Sequence, residues 1–428
     1  MAHSTDAELP YRRLDGVPRR IMLGGLVATA VGLIALAAGL SQGGGRAWQA
    51  YLFNWLFWFG IAQGAVVFSA VTVITRAVWA RPVRRLALSF VAFLPIAFVL
   101  YLPLLLAGEH IFPWTHEMYH EGLGAWLDER FVAVRNVVAL AALVGLSLLY
   151  ARISLRPDVG MRPEDGASGV RGWVIAGWRG QEEEERESHR RLARLGPILA
   201  IVFAAAMSVV AWDYVMSLEA GWFSTLIGPY YFMAAFLGGI AATTILAVIV
   251  RSRLGLEAVI RVPHFHDLGK LTFAFYVFWA YLFWSQYIVI WYGQLPWEQS
   301  FLVHRLTAPY TVLSVTVFGL LFLAPFFALL SVAAKKEPRF LASVAGVILF
   351  GLWLERYTLV YPSLYPGADG LPFGWVEIGV TFLFAGLFVI SIAAFLSRFP
   401  IFQMWQPMVD PHEFDDPYYP PREPAIEA

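Results

Sequence analysis

The chain contains no cysteine. That excludes disulfides, thiolate-held iron–sulfur clusters, covalently attached c-type haem and cysteine nucleophiles. Charge is scarce as well: charged residues make up 14% of the 428, and they sum to zero, so nothing calls for a nucleic-acid partner. Histidine is missing where a buried haem would need it. The nine are His3, His110, His116, His120, His189, His264, His266, His304 and His412, and none falls in the middle of an apolar run. A transmembrane b-type haem takes two axial ligands, usually histidines, so the chain is expected to bind no such haem. No phosphate-binding glycine loop, nucleophile elbow or zinc motif is present.

What is abundant is apolar. Hydrophobic residues reach 59%, the composition of a polytopic membrane protein. Ten runs are long enough to span a bilayer, at about 21–40, 51–75, 86–107, 131–151, 197–217, 224–250, 271–292, 307–333, 340–361 and 373–397. The first, Ile21–Leu40, is too long for a signal-peptide core and reads as an anchor. Of the 31 Lys and Arg, 26 fall in the N-terminal arm, the even-numbered loops and the C-terminal tail, against three in the alternate loops. This bias predicts that both termini are cytoplasmic. The loop 152–195 is the largest cytoplasmic feature. Its WVIAGW piece is expected at the interface, and EEEERESHRRLARL as a short charged, solvated helix. The proline-rich tail, 399–428, is expected to be extended, either disordered or laid along a partner.

The sequence repeats itself weakly. LLLAGEHIFPWTHE closes the third run and VIWYGQLPWEQS the seventh, each with Gly, then Pro-Trp, then an acid. AWDYVMSL in the fifth run and WLERYTLVYPSL in the ninth each put an acid and a tyrosine after a tryptophan. Runs two to five therefore match runs six to nine. Because four is even, the two copies share one orientation, unlike the inverted repeats common in secondary transporters. The predicted fold is an all-α polytopic membrane protein with two parallel-repeat four-helix bundles (51–220 and 221–365). Peripheral spans lie at 21–50 and 366–398, outside the arm 1–20.

Asp213 and Glu355 carry the most information. Each lies 15 residues past the start of its run, at Ile198 and Phe340, or ~22 Å into a ~30 Å core. A carboxylate inside a span usually faces the bundle interior with a partner. Arg135 reaches a similar depth and is the expected partner of Asp213. Arg356 adjoins Glu355, but neighbours on a helix point about 100° apart, so Glu355 is expected to pair with another span. A structural ion pair and a proton-bearing carboxylate both fit. His264, His266, Asp267 and Lys270 cluster at the start of the seventh run, as a helix cap or a point of proton uptake. Tyr281, Ser285 and Tyr292 share one face of that run, where twelve aromatics fall between Phe273 and Trp297. His110, His116 and His120 crowd one outer loop with three glutamates in a spacing that matches no standard metal site.

The stretch HFHDLGKLTFAFYVFWAYLFWSQYIVIWYGQLPW, with ten spans and a repeated four-helix unit, resembles the second NrfD/PsrC-like (ActF-type) membrane subunit of alternative complex III. The resemblance covers about residues 20–400. It implies a place in the inner membrane of a bacterium, in a quinol:electron-acceptor oxidoreductase. The implied partners are a paralogous ten-span subunit, periplasmic c-haem and iron–sulfur subunits, and lipids. It also implies no redox centre in this chain, quinone or menaquinone nearby, and a share in proton conduction. Asp213, Glu355, Arg135, Arg356, His264, His266, Asp267, Lys270, Tyr281 and Ser285 are the candidate path residues. The competing reading is an ion- or proton-coupled secondary transporter using Asp213 and Glu355, or a quinol-binding subunit in its own right.

Overall fold

The structure is a computed structural model that describes residues 11–116, 124–162, 169–219 and 221–405. Among these it is 81% helical, with no strand. Ten helical segments are long and apolar enough to cross a membrane. They are Arg19–Ser41, Gly45–Ile74, Val78–Leu106, Glu129–Gly160, Gln181–Leu218, Ile227–Leu254, Val262–Gly293, Thr311–Ala328, Pro338–Leu364 and Trp375–Arg398, called spans one to ten below. The expected number is met; several spans, four, five and seven above all, extend outward as polar residues at their ends continue the helices, while span eight is shorter than the expected 307–333 at both ends.

Two spans are irregular for a readable reason. Span three breaks into short α and 3₁₀ pieces, with new segments opening at Leu94-Pro95 and Leu102-Pro103. Proline has no N–H to give the preceding turn, so each one starts a segment rather than continuing one. Span eight contains a single π turn, Gly319–Leu323.

The packing of spans two to five is repeated by spans six to nine. Span two meets three and five, and four meets five; span six meets seven and nine, and eight meets nine. The bundles join where span two crosses span six, flanked by five against six and nine against two, as a pseudo-two-fold arrangement requires. At the crossing the backbones touch. A Cβ on Gly64 would stand 2.1 Å from the Ala235 carbonyl oxygen, and one on Gly239 2.2 Å from the Ala65 nitrogen. Helices in a membrane associate through such small residues, since apolar side chains gain little by leaving lipid for protein.

Spans one and ten form a pair, and span ten also lies on spans two and three. Span one buries only Gly25, Gly32, Ala35 and Gly39, leaving Leu23, Leu26, Val27, Val31, Leu33 and Ile34 outward for lipid. Glu377 fastens the pair to the rest. It takes two hydrogen bonds from Arg46 and one from the Tyr361 hydroxyl, each 2.7 Å, together with the Gly374 N–H.

The loop 152–195 differs most from expectation. Span four runs on to Gly160, and a short helix, Gly169–Ile175, follows. EEEERESHRRLARL is no separate helix but the opening turns of span five, which passes through Pro197 without ending. Nor is it uniformly solvated: Glu184 turns inward to Arg156, accepting at 2.7 Å, while Arg156 also donates to the carbonyls of Val174, Ala176 and Gly177. The charges that look like surface thus clamp the loop to span four.

The tail also departs from expectation at its start. Residues 399–405 are extended, and Phe399, Ile401, Phe402, Gln403 and Trp405 are buried against the chain itself. Asp158, at the end of span four, accepts the backbone N–H groups of Met404 (2.9 Å) and Trp405 (3.1 Å) through one oxygen and pairs with buried Arg85 through the other. The rest of the tail, from 406, lies outside the described residues.

Candidate functional site

The two intramembrane acids sit in differently finished surroundings. Asp213 is fully buried near the end of span five. Arg135 of span four grips both its oxygens, donating through Nε at 2.7 Å and through Nη2, and Asn136 Nδ2 donates to Oδ2 at 2.5 Å. The guanidinium also donates to the Trp126 carbonyl and lies 3.9 Å over the Trp126 ring. The expected pairing of Arg135 with Asp213 is therefore present, and it is closed: each carboxylate oxygen has a charged donor, the strongest arrangement a carboxylate can find. Beside it, the hydroxyls of Tyr101 and Tyr214 are 2.8 Å apart.

Glu355 is 1% exposed and only half satisfied. Its Oε2 accepts from Arg356 Nη1 at 2.7 Å, against the expectation that its partner would come from another span. Neighbouring Cα–Cβ vectors diverge, but the long arginine side chain folds back and rests 4.2 Å over the Tyr231 ring. Glu355 Oε1 makes no hydrogen bond within normal geometric limits, although the Tyr230 hydroxyl of span six and the Trp279 indole of span seven both face this carboxylate. A carboxylate oxygen buried without a donor costs several kcal/mol by the usual transfer arguments, so such an atom calls for an explanation.

Glu355 borders a cavity of about 290 Å³ in the second bundle. Phe283, Trp284, Tyr287, Phe301 and Phe318 supply aromatic walls, and Tyr230, Gln286, Arg305 and Ser314 supply polar groups. Arg305, in the helix Pro296–Leu306, is 7% exposed. It donates to the carbonyls of Phe301 and Leu359 and to Ser363, and lies 3.7 Å from Glu219, which also meets His304 at 3.0 Å. Burial pushes Arg305 down to about 10, with the Glu219 carboxylate opposing. The Glu219–His304–Arg305 cluster ties the end of span five to the start of span eight. Nothing in the sequence pattern marked it, because its members lie between spans, in two connections far apart in the chain.

The first bundle carries a polar column. From the arginine-rich end come Asp158 with Arg85, Ser154 with Arg85 (3.1 Å), Tyr150 with the Ser69 carbonyl (3.3 Å), and Ser147 with Gln63 (2.8 Å). Four of these lie on span four at turns three or four residues apart, which places them on one face. Buried Leu140 and Leu143 then interrupt the column over ~16 Å, the rise of the eleven residues between Ser147 and Asn136.

The seventh-span candidates are not brought to either acid. His264 Nδ1 accepts the Arg261 N–H at 2.9 Å, so it caps the helix. Asp267 pairs with Lys270 at 2.5 Å one turn on, and His266 is half-buried beside them. All four stand in the first turns of span seven, whereas Trp279, beside Glu355, is mid-span and Gln286, on the cavity wall, lies beyond it. Tyr281 is 61% exposed and Ser285 partly exposed, so the face they share with Tyr292 looks away from the bundle. In the connection after span three, His116 Nε2 is 2.9 Å from the Glu109 carbonyl, and His120 lies outside the described residues. Among the described residues no group of three or more metal-ligating side chains forms. Compared with known proteins, the chain matches no family model and no curated sequence.

Proposed function

We propose that this chain is a cofactor-free membrane subunit of a bacterial quinol:electron-acceptor oxidoreductase of the alternative complex III kind, and that it handles protons rather than electrons. The observation that carries the reading is the half-satisfied carboxylate of Glu355 buried in a membrane bundle. A carboxyl group left with an open acceptor can take and release a proton without breaking its remaining bond to Arg356. The polar column of the first bundle supports the same reading, since hydroxyl, amide and carboxylate groups on one helix face are the parts a proton relay is made from. Asp213, with both oxygens held, serves better as the brace that fixes spans four and five. His264, His266, Asp267 and Lys270 lie at the end of span seven that the charge bias assigns to the cytoplasm, and Tyr281 and Ser285 face lipid or a partner subunit. Electrons then travel through haem and iron–sulfur groups of other subunits, and the paralogous ten-span subunit is the neighbour in the membrane.

Gentle extraction from native membranes tests this. Haem-bearing subunits should travel with the chain, whereas a solitary monomer would favour the transporter reading. The isolated chain should show no Soret or flavin band, because it offers neither thiolates nor paired mid-span histidines. A stoichiometric Soret absorbance on the pure chain would contradict that. Both termini are placed in the cytoplasm by the charge bias. A reporter fused after Ala428 should therefore be active only as a cytoplasmic fusion, and periplasmic activity would reverse the topology.

A further inference from the structure

We infer that the corner where span seven begins, and where span eight turns into span nine, is a binding site for the phosphate head of an anionic phospholipid. The inference goes beyond the proposed function and does not rest on it.

A close approach builds the corner. A short helix, Val332–Lys336, follows span eight, and the Ser331 hydroxyl caps it by accepting the Ala334 N–H at 3.1 Å. This helix rides on span seven at Gly269, where a Cβ would stand 2.9 Å from Lys335 Cβ. Four cations meet there. Lys270 comes from span seven, Lys335 and Lys336 end the short helix, and Arg339 lies in the first turn of span nine. Half-buried His266 stands in the field of all three lysines. Two carboxylates oppose them: Asp267, which Lys270 meets at 2.5 Å, and exposed Glu337. Four cations against two carboxylates leave the corner positive.

Lys335 sets this corner apart from the usual excess of cations at the cytoplasmic end of a membrane protein, where the charges are solvated. It is 8% exposed, and its Nζ lies 4.8 Å from the centre of the Phe273 ring. Its hydrogen bond among the described residues is a long one, 3.4 Å to the Leu330 carbonyl, and no described carboxylate stands within ion-pair distance. An ammonium has three donors, and covering it without an anion nearby is costly. What the position lacks is an anionic oxygen.

The neighbours of the cations narrow the source of that oxygen. Phe327, Leu330, Val332 and Phe340 belong to the same stretch of chain and are exposed, an apolar shelf on which acyl chains can lie. A soluble phosphate or an acidic peptide would leave the shelf bare. A zwitterionic lipid brings a second ammonium into a corner that is already positive. A lipid such as phosphatidylglycerol supplies an unpaired phosphodiester charge and two apolar tails together, and basic clusters beside membrane helices favour such heads.

The test uses the full chain, delipidated in detergent and titrated with phosphatidylglycerol or phosphatidylcholine, with bound lipid counted by native mass spectrometry. Phosphatidylglycerol is expected to bind more tightly, and added salt should weaken it. Lys336→Gln combined with Arg339→Gln removes two exposed cations and should cost roughly tenfold in affinity or more. Lys335→Met should act in the same direction, and the exposed pair keeps the test open if that variant does not fold. Arg194→Gln combined with Arg253→Gln removes two exposed cations elsewhere on the same end and should leave binding unchanged. Glycerol phosphate should not compete. Equal retention of the two lipids, an equal loss in the Arg194 and Arg253 control, undiminished binding in the corner variants, or displacement by glycerol phosphate would each overturn the site. None of these readouts requires turnover, so they are independent of whether protons move through the chain.

Discussion

Glu355→Gln is expected to leave the assembled complex intact and to lower proton-coupled quinol oxidation by roughly a hundredfold, the lower end of what a positioned proton-transfer group contributes. The amide keeps the shape of the side chain and still offers an oxygen to Arg356 at the position of Oε2. What it loses is titration, because an amide neither gains nor releases a proton in the working range. Asp213→Asn should behave the other way. Its carboxylate is gripped at both oxygens by Arg135 and once by Asn136, so removing the charge weakens three donors at once. Breaking a buried pair by taking away one partner typically costs ~3–5 kcal/mol. The expected result is a drop in thermal stability larger than the drop in turnover per assembled complex. Quinol oxidation and proton release, measured together in vesicles holding the whole complex, separate the cases. Wild-type rates and stoichiometry in Glu355→Gln would leave only a structural ion pair.

The second large effect is expected at the crossing of spans two and six. Gly64→Val or Gly239→Val should separate the bundles and abolish recovery of folded protein from detergent. Overpacking a core usually costs ~1–3 kcal/mol, because side chains can shift to relieve it. Here the first atoms struck are the backbone of Ala235 and of Ala65, which no rotamer change can move. Gly145 is a matched control: a Cβ there meets nothing within 4 Å, so Gly145→Ala should be tolerated. Size-exclusion profiles of the three variants decide the matter, and a normal peak for Gly64→Val would mean the spans can part without penalty.

The fold was open to sequence reasoning because a bilayer leaves few options. Apolar length gave the ten spans, and the short repeated signatures gave the pairing of the bundles. Arg135 with Asp213 was legible too, since an acid and a base at one depth on consecutive spans must meet or stay uncompensated. Glu355 with Arg356 was not, because arguments from helix faces describe Cβ directions while a long side chain can curl back along its own helix. Asp158 and Glu184 were counted as loop charges because helices continue past the apolar run that defines them to the eye. Arg305 and Glu219 needed three-dimensional knowledge outright. The face of Tyr281 and Ser285 was recognised as a face, but spacing alone cannot say whether a face looks inward or outward.

The seat of Asp158 has a consequence for the order of assembly. Its two backbone donors, from Met404 and Trp405, come 246 and 247 residues later in the chain. At ~5–20 residues per second of synthesis, roughly 12 to 50 seconds separate the emergence of span four from that of the segment that caps it. Throughout that interval Asp158 keeps its Arg85 partner but lacks both backbone donors. The first bundle is begun early but finished last. Truncation just before Met404 should thus expose the released chain to membrane proteases at the span-four end, even though all ten helices are present.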